Sequence, residues 1–159
     1  MTPLNYTKKV LKEFQHPTNM GEIKNPDGHG MVGNPSCGDV MEVFLRIRNN
    51  KIIDIKAKTF GCIAAIATTS VLTKMVKGRT VEQAMRIKKE DIIKKLGAMP
   101  PIKIHCSLLG LNALHKAIED YKKKKKEEKN NEQEKKNRRE KNRREATPGA
   151  KRKTKRNVK

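Results

Sequence analysis

The chain has 159 residues and a formal net charge of +21, from 38 Lys and Arg against 17 Asp and Glu. Residues 122–159 hold 19 of the basic and 6 of the acidic groups, a net +13, which leaves +8 for residues 1–121. The front part is long enough to bury one hydrophobic core, whereas a charge run with few apolar residues is not. We therefore predict one domain over residues 1–121 and a basic, low-complexity tail over 122–159.

Composition excludes several classes of protein. The longest apolar run, residues 62–67, is far shorter than the roughly 20 residues that a membrane-spanning helix needs, and no N-terminal segment has the order of a signal peptide. Three widely spaced cysteines do not form a disulfide framework, and their odd number leaves at least one thiol unpaired. With two Tyr, three Phe and no Trp, the chain lacks an aromatic platform for stacking bases. These features favour a reducing, intracellular setting.

The first predicted elements are a helix and a loop. Apolar residues recur at helical spacing within residues 5–14, and the helix is expected to end before Pro17. Residues 21–39 are dense in Gly and Pro, which is typical of a loop.

An antiparallel hairpin is predicted next. Apolar and polar residues alternate over 41–47 and again over 53–57, with Ile53 on the face expected to be buried. Asn49 and Asn50 lie between the two runs. Two runs of period two around a two-residue turn predict a hairpin with one buried face.

Helices account for most of the remaining domain. Residues 63–76 predict a helix that has apolar side chains on every side in its first turns and along one face in its later turns. Gly78 suits the position just after such a helix. Thr80 and Gln83 have the spacing of a capping box that opens a short helix. Another short helix is expected over 91–96.

A long final helix completes the predicted domain. Pro100 and Pro101 predict extended backbone, after which apolar residues recur at three and four positions from Leu108 to Tyr121. The fold class is therefore α+β: a small antiparallel sheet of about three strands, packed against helices on one side, with a long C-terminal helix.

The three cysteines lie where predicted elements begin or end. Cys37 falls in a glycine-flanked loop, Cys62 where the second strand gives way to a helix, and Cys106 at the start of the last helix. A helix N-terminus lowers the pKa of a thiol, so Cys62 and Cys106 are expected to favour the thiolate. Asp39 and His105 add a carboxylate and an imidazole, and this donor set suits a thiophilic or borderline metal.

Each of these residues also has a simpler interpretation. Isolated cysteines are usually small buried hydrophobic residues, and no close Cys-x-x-Cys pair is present. His105 by itself is more often structural, and Asp39 beside Gly38 is a common turn residue. Because separation in sequence gives no distance in the fold, spacing alone leaves a shared metal site open.

Three segments resemble the signature motifs of IscU-type iron–sulfur cluster scaffolds, a family that includes the N-terminal domain of NifU. They are residues 33–39 (GNPSCGD), 58–62 (KTFGC) and 99–107 (MPPIKIHCS), in the family's order and spacing. The likeness covers residues 5–121 and includes an opening motif at 17–21, although Glu13 and Thr18 replace the more usual His and Arg. It implies an IscU/SufE-like fold.

The resemblance implies a scaffold and not an enzyme. Such a protein assembles a transient [2Fe–2S] cluster from iron and from sulfur supplied by a cysteine desulfurase, then passes it to recipient apo-proteins. The ligands that the resemblance implies are Cys37, Asp39, Cys62, His105 and Cys106. Cys106 also matches the thiol that accepts persulfide sulfur. The same ligands hold zinc in the family, so a zinc-bound sulfur acceptor of the same fold is an alternative.

A further segment resembles the family's chaperone-binding site, whose usual form is Leu-Pro-Pro-Val-Lys. Here it consists of Met99, Pro100, Pro101, Ile102 and Lys103. The changes to Met and Ile are mild in volume and polarity. The resemblance therefore implies a DnaK- or HscA-type chaperone, acting with a J-protein, as a partner beside the desulfurase and the recipient proteins, and it implies no membrane.

The basic tail lies outside the resemblance. Its tandem KNRRE repeat at 136–145 contains residues that favour helix and pair with opposite charges, whereas the segment past Pro148 and Gly149 is predicted to be disordered. Three roles remain open for it: a solubilising extension, contact with RNA or DNA through phosphate neutralisation, or docking onto an acidic protein.

Two expectations concern the whole chain. A competing function from a different class is a nucleic-acid-binding protein driven by the tail, in which the cysteines are structural. A cytoplasmic location is expected, because the family match starts almost at Met1 and leaves no room for a transit peptide.

Overall fold

The computed structural model describes residues 5–36 and 38–146. Its elements are α1 (Lys8–Gln15), β1 (Gly28–Asn34), β2 (Asp39–Arg48), β3 (Lys51–Phe60), α2 (Ile63–Val76), α3 (Val81–Met85), α4 (Lys89–Leu96), a 3-10 turn (Pro101–Lys103) and α5 (His105–Glu145). The chain divides into two units, Met1–Lys124 and Lys125–Lys159. The first unit contains the three strands, helices α1–α4 and the first part of α5, which is the predicted α+β class.

A three-stranded antiparallel sheet in the order β1-β2-β3 forms the framework of the first unit. Strands β2 and β3 are joined by the predicted two-residue turn, in which Asn49 and Asn50 have φ of 48° and 63°. Hairpin turns of this kind need positive φ at both positions, and Asn tolerates that conformation better than most residues. The hairpin prediction is confirmed.

The predicted alternation in β3 is wrong at Ile53. The register shifts at this point, so that Ile47 pairs with Ile52 and Arg46 pairs with Asp54. Ile53 is left out of the pairing and is 46% exposed, whereas Ile52 is fully buried. A bulge of this kind inserts one residue and reverses the face of those that follow it, which a strict period of two does not reveal.

The segment 21–39, predicted as a loop, contains strand β1. Gly28 and Gly30 occupy its inward positions, where an added Cβ would overlap the carbonyl oxygens of Ala117 and Ala113, respectively. The backbone of α5 therefore passes over this strand at a distance that only glycine permits. Since glycine has no apolar side chain, the strand shows no hydrophobic alternation in the sequence.

The helices bury the core against one face of the sheet. The inward side chains of β2 and β3, such as Met41 and Ile55, are fully buried together with Leu114 of α5, and Leu72 of α2 is 1% exposed. Helix α2 packs against β3 and also contacts α1 and α4. Helices on one face of a short antiparallel sheet are what the sequence predicts.

The ends of the helices follow local signals in the sequence. The Thr80 side chain accepts the N–H of Gln83, and the Gln83 side chain accepts the N–H of Thr80, which completes the predicted capping box before α3. Gly78 after α2 and Gly97 after α4 have φ of 83° and 86°. A positive φ at the end of a helix favours glycine, which adopts it without strain.

Helix α5 differs from the prediction at its start. It begins at His105, and Leu108, placed by periodicity in the buried stripe, is 42% exposed. Leu109 is buried in its place. Cys106 and Ser107 in the first turn are fully buried, so the buried face there is set by these residues and not by Leu108.

The second unit contains the continuation of α5 to Glu145. Each of its described residues, 125–146, is exposed to solvent. The disorder predicted past Pro148 and Gly149 falls outside the described residues. Nowhere in residues 5–36 and 38–146 does a helix combine the length and the apolar composition needed to cross a membrane.

Candidate metal centre

Three side chains with metal-binding atoms meet where the sheet joins helices α2 and α5. Asp39 is the first residue of β2, Cys62 is the N-cap residue of α2, and Cys106 is in the first turn of α5. The two sulfur atoms are 3.8 Å apart, and Oδ2 of Asp39 lies 3.4 Å from Sγ of Cys106 and 3.8 Å from Sγ of Cys62. The fold thus brings together residues that are up to 67 positions apart in the chain.

Asp39 is held by the junction between β3 and α2. It is only 3% exposed, and its Oδ1 accepts the backbone N–H of Cys62 at 3.2 Å. Gly61 permits this approach, because a Cβ at that position would lie 2.7 Å from the same oxygen. A buried carboxylate oriented toward two thiols is more than a turn residue, so the geometry favours a ligand role.

His105 adjoins this cluster at the start of α5. Its Nε2 lies 3.6 Å from Sγ of Cys106, and its side chain is half-buried. The imidazole is therefore close enough to share a metal with the thiols after a small rotation, and close enough to exchange a proton with Cys106.

Cys37, the fifth predicted ligand, lies outside the described residues. The strands on either side of it are described, with Asn34 of β1 paired to Asp39 of β2. Gly38 has φ of 71° and donates its N–H to the carbonyl oxygen of Asn34 at 2.8 Å. The chain therefore reverses direction beside Asp39 through a turn that needs glycine at its last position.

Burial dominates the protonation of Cys106. Its pKa is raised far above that of an ordinary thiol, first by burial and then by the negative charge and hydrogen bonding of Cys62 and Asp39. The lowering of the thiol pKa expected from the helix N-terminus is therefore wrong for Cys106. A cation bound among these groups reverses the balance, because metal ligation requires the thiolate.

The charges of the cluster influence two further residues, Lys103 and Tyr6. The negative charge of Cys62 raises the pKa of the Lys103 ammonium against the effect of burial. Burial raises the pKa of Tyr6, and the charge of Cys62 raises it further, whereas Lys103 lowers it. The sequence suggests only a chaperone role for Lys103 and none for Tyr6, since no spacing pattern links residue 6 to the cysteines.

The cluster opens to solvent through a shallow cavity of about 420 Å³, whose lining includes Asp39, Cys62, Phe60 and Ile66. Phe60 is 79% exposed, and its cross-strand neighbour Val40 is 36% exposed. Exposed apolar side chains beside a reactive cluster are typical of a surface that other proteins cover. An open mouth also gives ions and small molecules access to Asp39 and Cys62.

The predicted chaperone segment leads into the cluster from α4. Pro100 has the expected extended backbone, with ψ of 134°, but Pro101 begins a 3-10 turn, so extension is wrong for the second proline. Ile102 is 70% exposed, whereas Met99 is 7% exposed and belongs to the core. Within the segment, Met99 is buried, Pro101 and Ile102 are exposed, and Pro100 and Lys103 are half-buried.

The donor set and its spacing fit a metal ion. Sulfur ligands about 2.3 Å from one tetrahedral metal lie about 3.8 Å from each other, and Cys62 and Cys106 have this separation. The ligand atoms of Asp39, Cys62 and Cys106 all lie within 4.8 Å of one another. Two sulfurs with a carboxylate oxygen and a nearby imidazole suit zinc or iron.

The chain matches a family model described as the NifU-like N terminal domain, over residues 5–128. This range includes Asp39, Cys62, His105 and Cys106, and it ends shortly after the last residue of the hydrophobic core. The match therefore covers the sheet, the helices packed on it and the whole cluster.

Named relatives share most of the chain. A protein of Archaeoglobus fulgidus named iron-sulfur cluster assembly scaffold protein IscU 1 is 49% identical over 116 residues, 73% of this chain and 76% of that protein. A protein of Drosophila melanogaster named iron-sulfur cluster assembly enzyme IscU is 43% identical over 121 residues, 74% of this chain and 78% of that protein. A solved structure, the N-terminal part of a nitrogen-fixing NifU-like protein from Brucella abortus, has the same fold, with a TM-score of 0.61 and 22% identity over 74% of this chain and 94% of that one.

Proposed function

The chain belongs to the NifU-like N-terminal domain family, and we propose that it is a scaffold on which an iron–sulfur cluster is assembled for transfer to other proteins. The observation that carries the proposal is the meeting of Asp39, Cys62 and Cys106 at one open-mouthed site. A scaffold needs thiolate ligands together with access for the proteins that deliver sulfur and remove the cluster. The names of the relatives support the same role.

The proposed cargo is a transient [2Fe–2S] cluster, whose candidate ligands are Cys37, Cys62 and Cys106 together with Asp39 or His105. Stable ferredoxins hold such clusters with four thiolates, whereas this chain has three cysteines. Asp39 or His105 must therefore complete the ligand set. A carboxylate oxygen binds iron less tightly than a thiolate does, which suits a site that releases its cargo.

Cys106 is the proposed acceptor of sulfur from a cysteine desulfurase. Its thiolate attacks the terminal sulfur of the desulfurase persulfide, so that a new S–S bond forms on Cys106 while the old one breaks, and the desulfurase cysteine leaves as a thiolate. The proton of Cys106 must first pass to a base. Nε2 of His105, 3.6 Å from Sγ, is placed to accept it.

The test is anaerobic reconstitution of the full chain with ferrous iron, cysteine and a catalytic amount of cysteine desulfurase, followed by visible absorption and transfer to an apo-ferredoxin. Ser replacements of Cys37, Cys62 and Cys106 are each compared with Ser36→Ala, an exposed neighbour of Cys37. A labile [2Fe–2S] spectrum that needs all three thiols and survives Ser36→Ala is the expected result. Mass spectrometry under the same conditions should find the persulfide lost in Cys106→Ser.

Other outcomes of this experiment discriminate between the alternatives. One tightly bound zinc without cluster formation would make the chain a zinc-bound sulfur acceptor, since the cluster atoms fit zinc as well as iron. If neither metal binds, the scaffold proposal fails and the basic tail becomes the leading candidate for function.

We further propose that a DnaK- or HscA-type chaperone, acting with a J-protein, binds residues 99–103. The exposed Ile102 supports this, but the buried Met99 must leave the core before the whole segment can be bound. A peptide of residues 97–105 should therefore bind the chaperone more tightly than the folded chain does. Equal affinity would show that only the exposed part is recognised.

A further inference from the structure

A second site lies at the far end of α2 from the cysteines. Cys62 precedes α2 and Met75 is in its last turn, so the two ends are about 20 Å apart at a rise of about 1.5 Å per residue. Around the C-terminal end, residues of α1, α2, α3 and α4 enclose a cavity of about 570 Å³. The described residues that line it are all different from those that line the cavity beside the cysteines.

Positive side chains dominate the lining of this cavity. They are Lys9, Arg79, Arg86, Lys94 and Lys95. Among the described lining residues one is acidic, Asp91, whose Oδ2 accepts the backbone N–H of Lys88 in the cap of α4. In the part of the chain that the structure describes, none of the five cations forms an ion pair.

Cations elsewhere on the first unit do have acidic partners. Lys58 pairs with Glu22, Lys74 with Glu13, and Lys77 with Asp54. Among the described residues, these cations of the first unit are paired with carboxylates, whereas the five cations that line the cavity are not. Like charges converging on a concave surface repel one another and attract anions.

One of the five cations is already fixed in position. Nε of Arg79 donates to the carbonyl oxygen of Met75 at 2.6 Å, at the end of α2. This single bond uses one of the five N–H donors of the guanidinium. A guanidinium that is held in place binds a phosphate in bidentate fashion with less loss of side-chain freedom.

We propose that this cavity binds a small compound that carries two or more phosphate groups. Cavities of about 300–1,000 Å³ accommodate ligands of this size. None of the described lining residues is aromatic, so the phosphates carry the recognition, whether they belong to a nucleotide or to an inorganic polyphosphate. Cations from separate elements around a concavity suit a compact polyanion better than the extended backbone of a nucleic acid, which needs a stripe or groove.

The test is calorimetric titration of the full chain with inorganic tripolyphosphate and, separately, with ATP, at an ionic strength of about 0.15 M. The variant Arg86→Gln/Lys94→Gln is compared with Arg138→Gln/Lys141→Gln in the tail. Both remove one Arg and one Lys from exposed positions, so the net charge falls equally. We expect one-to-one binding that weakens at least about tenfold in the first variant and less than about twofold in the second.

The two compounds identify which phosphate source the cavity prefers. Equal affinities would assign recognition to the phosphates alone, and tighter binding of ATP would add a contribution from the nucleoside; both support the proposal. Equal weakening by the two variants would place binding in the tail and overturn it. Absence of saturable binding, or tighter binding of a poly-glutamate peptide, would overturn it as well.

Folding of the variants is checked by thermal unfolding without ligand. All four substituted residues are exposed, so both variants should keep the wild-type Tm within about 2 °C. Cluster reconstitution should be unchanged in Arg86→Gln/Lys94→Gln, because the cavity lies apart from the cysteines. If the cavity does not bind phosphate compounds, the scaffold proposal is therefore unaffected.

Discussion

Glu13 shows how a single side chain joins α1 to α2. Its Oε2 accepts the hydroxyl of Ser70 at 2.7 Å, and its two oxygens accept Nζ of Lys74 at 2.7 and 2.8 Å. Burial alone raises the pKa of this carboxyl, but the hydrogen bonds from Lys74 and Ser70 outweigh it, and the pKa of Glu13 is lowered. Ser70 also accepts the N–H of Thr18. The two positions at which this chain departs from the usual family motif therefore meet at one serine.

Glu13→Gln should lower the free energy of unfolding at neutral pH by about 1 kcal/mol, because an amide accepts more weakly from Lys74 and part of that ion pair is screened by solvent. The carboxyl has a lower pKa in the folded state than in the unfolded state. Its contribution is therefore complete above the unfolded pKa and is lost as the pH falls through the folded pKa. Urea unfolding at about pH 7 and about pH 3 measures the effect, which should be smaller at the lower pH because more of the carboxyl is protonated there.

The control for this prediction is Glu119→Gln, at an exposed position of α5. It should leave the free energy of unfolding unchanged at both pH values. A Glu13→Gln effect of equal size at both pH values would show that shape, not charge, is what Glu13 contributes.

Asp39 supplies the hardest ligand atom of the proposed set, and its Oδ1 already accepts the N–H of Cys62. Such an oxygen exchanges more readily than a thiolate, so release of the cluster should begin there. Asp39→Ala is expected to slow transfer to an apo-ferredoxin by about tenfold, in the range usual for changes around a metal. The measurement is the rate of appearance of the ferredoxin spectrum.

Asp54→Ala is the matched control, since Asp54 is also a strand residue but pairs with Lys77 and not with the cluster. It should transfer at the wild-type rate. If Asp39→Ala also transfers at that rate, the carboxylate is not the exchangeable ligand.

At the scale of the elements, β1 and α5 approach each other so closely that an added Cβ at Gly28 or Gly30 would overlap backbone atoms of the helix. Gly30→Ala should cost at least about 3 kcal/mol, because its Cβ would meet backbone atoms of Ala113 and Ala117, which do not rotate away. Gly33→Ala on the same strand is the control. There the nearest atom to an added Cβ is Cγ2 of Val40 at 3.7 Å, an ordinary contact.

Thermal and denaturant unfolding of the two variants tests this packing. Gly33→Ala should change the free energy of unfolding by less than about 1 kcal/mol. A Gly30→Ala protein as stable as Gly33→Ala would mean that α5 does not lie against β1 in solution.

Strand β1 is an edge strand, and α5 also protects its free edge. Oδ2 of Asp120 accepts the N–H of His29 at 3.0 Å, and Nζ of Lys116 lies 3.4 Å from the carbonyl oxygen of Met31. Charged side chains that satisfy edge groups discourage pairing with another chain. One helix thus both covers the face of this strand and occupies its edge.

These elements show what the sequence could and could not predict. The hairpin could be predicted because the alternation of side chains and the Asn49–Asn50 turn both indicate two antiparallel strands. Strand β1 could not, since its inward residues are glycines selected by a neighbouring backbone that is distant in the chain. In the site, the sequence predicts that the thiols lie at the ends of elements. The distances between their sulfur atoms depend on how α5 packs, so the sequence does not predict them. Nor does it predict that Tyr6 lies near the cysteines.

At the scale of the whole molecule, stability and charge occupy different parts of the chain. The residues of the hydrophobic core, from Val10 to Ile118, precede the tail. Residues 122–159 carry +13 of the total +21, and every described residue from 122 to 146 is exposed. The tail therefore adds long-range electrostatic attraction without adding apolar burial.

Removal of residues 125–159 tests whether the two parts also separate in function. The truncated chain keeps the whole core, so its Tm should stay within about 2 °C of the full chain, and cluster reconstitution should be undiminished. Binding to RNA should fall at low salt, because the phosphate-neutralising charges are gone. A control of full length, with Arg138, Arg139, Arg143 and Arg144 changed to Gln, distinguishes charge from length. If truncation instead abolishes both metal binding and the folded state, the tail is part of the domain and the scaffold does not end with the core.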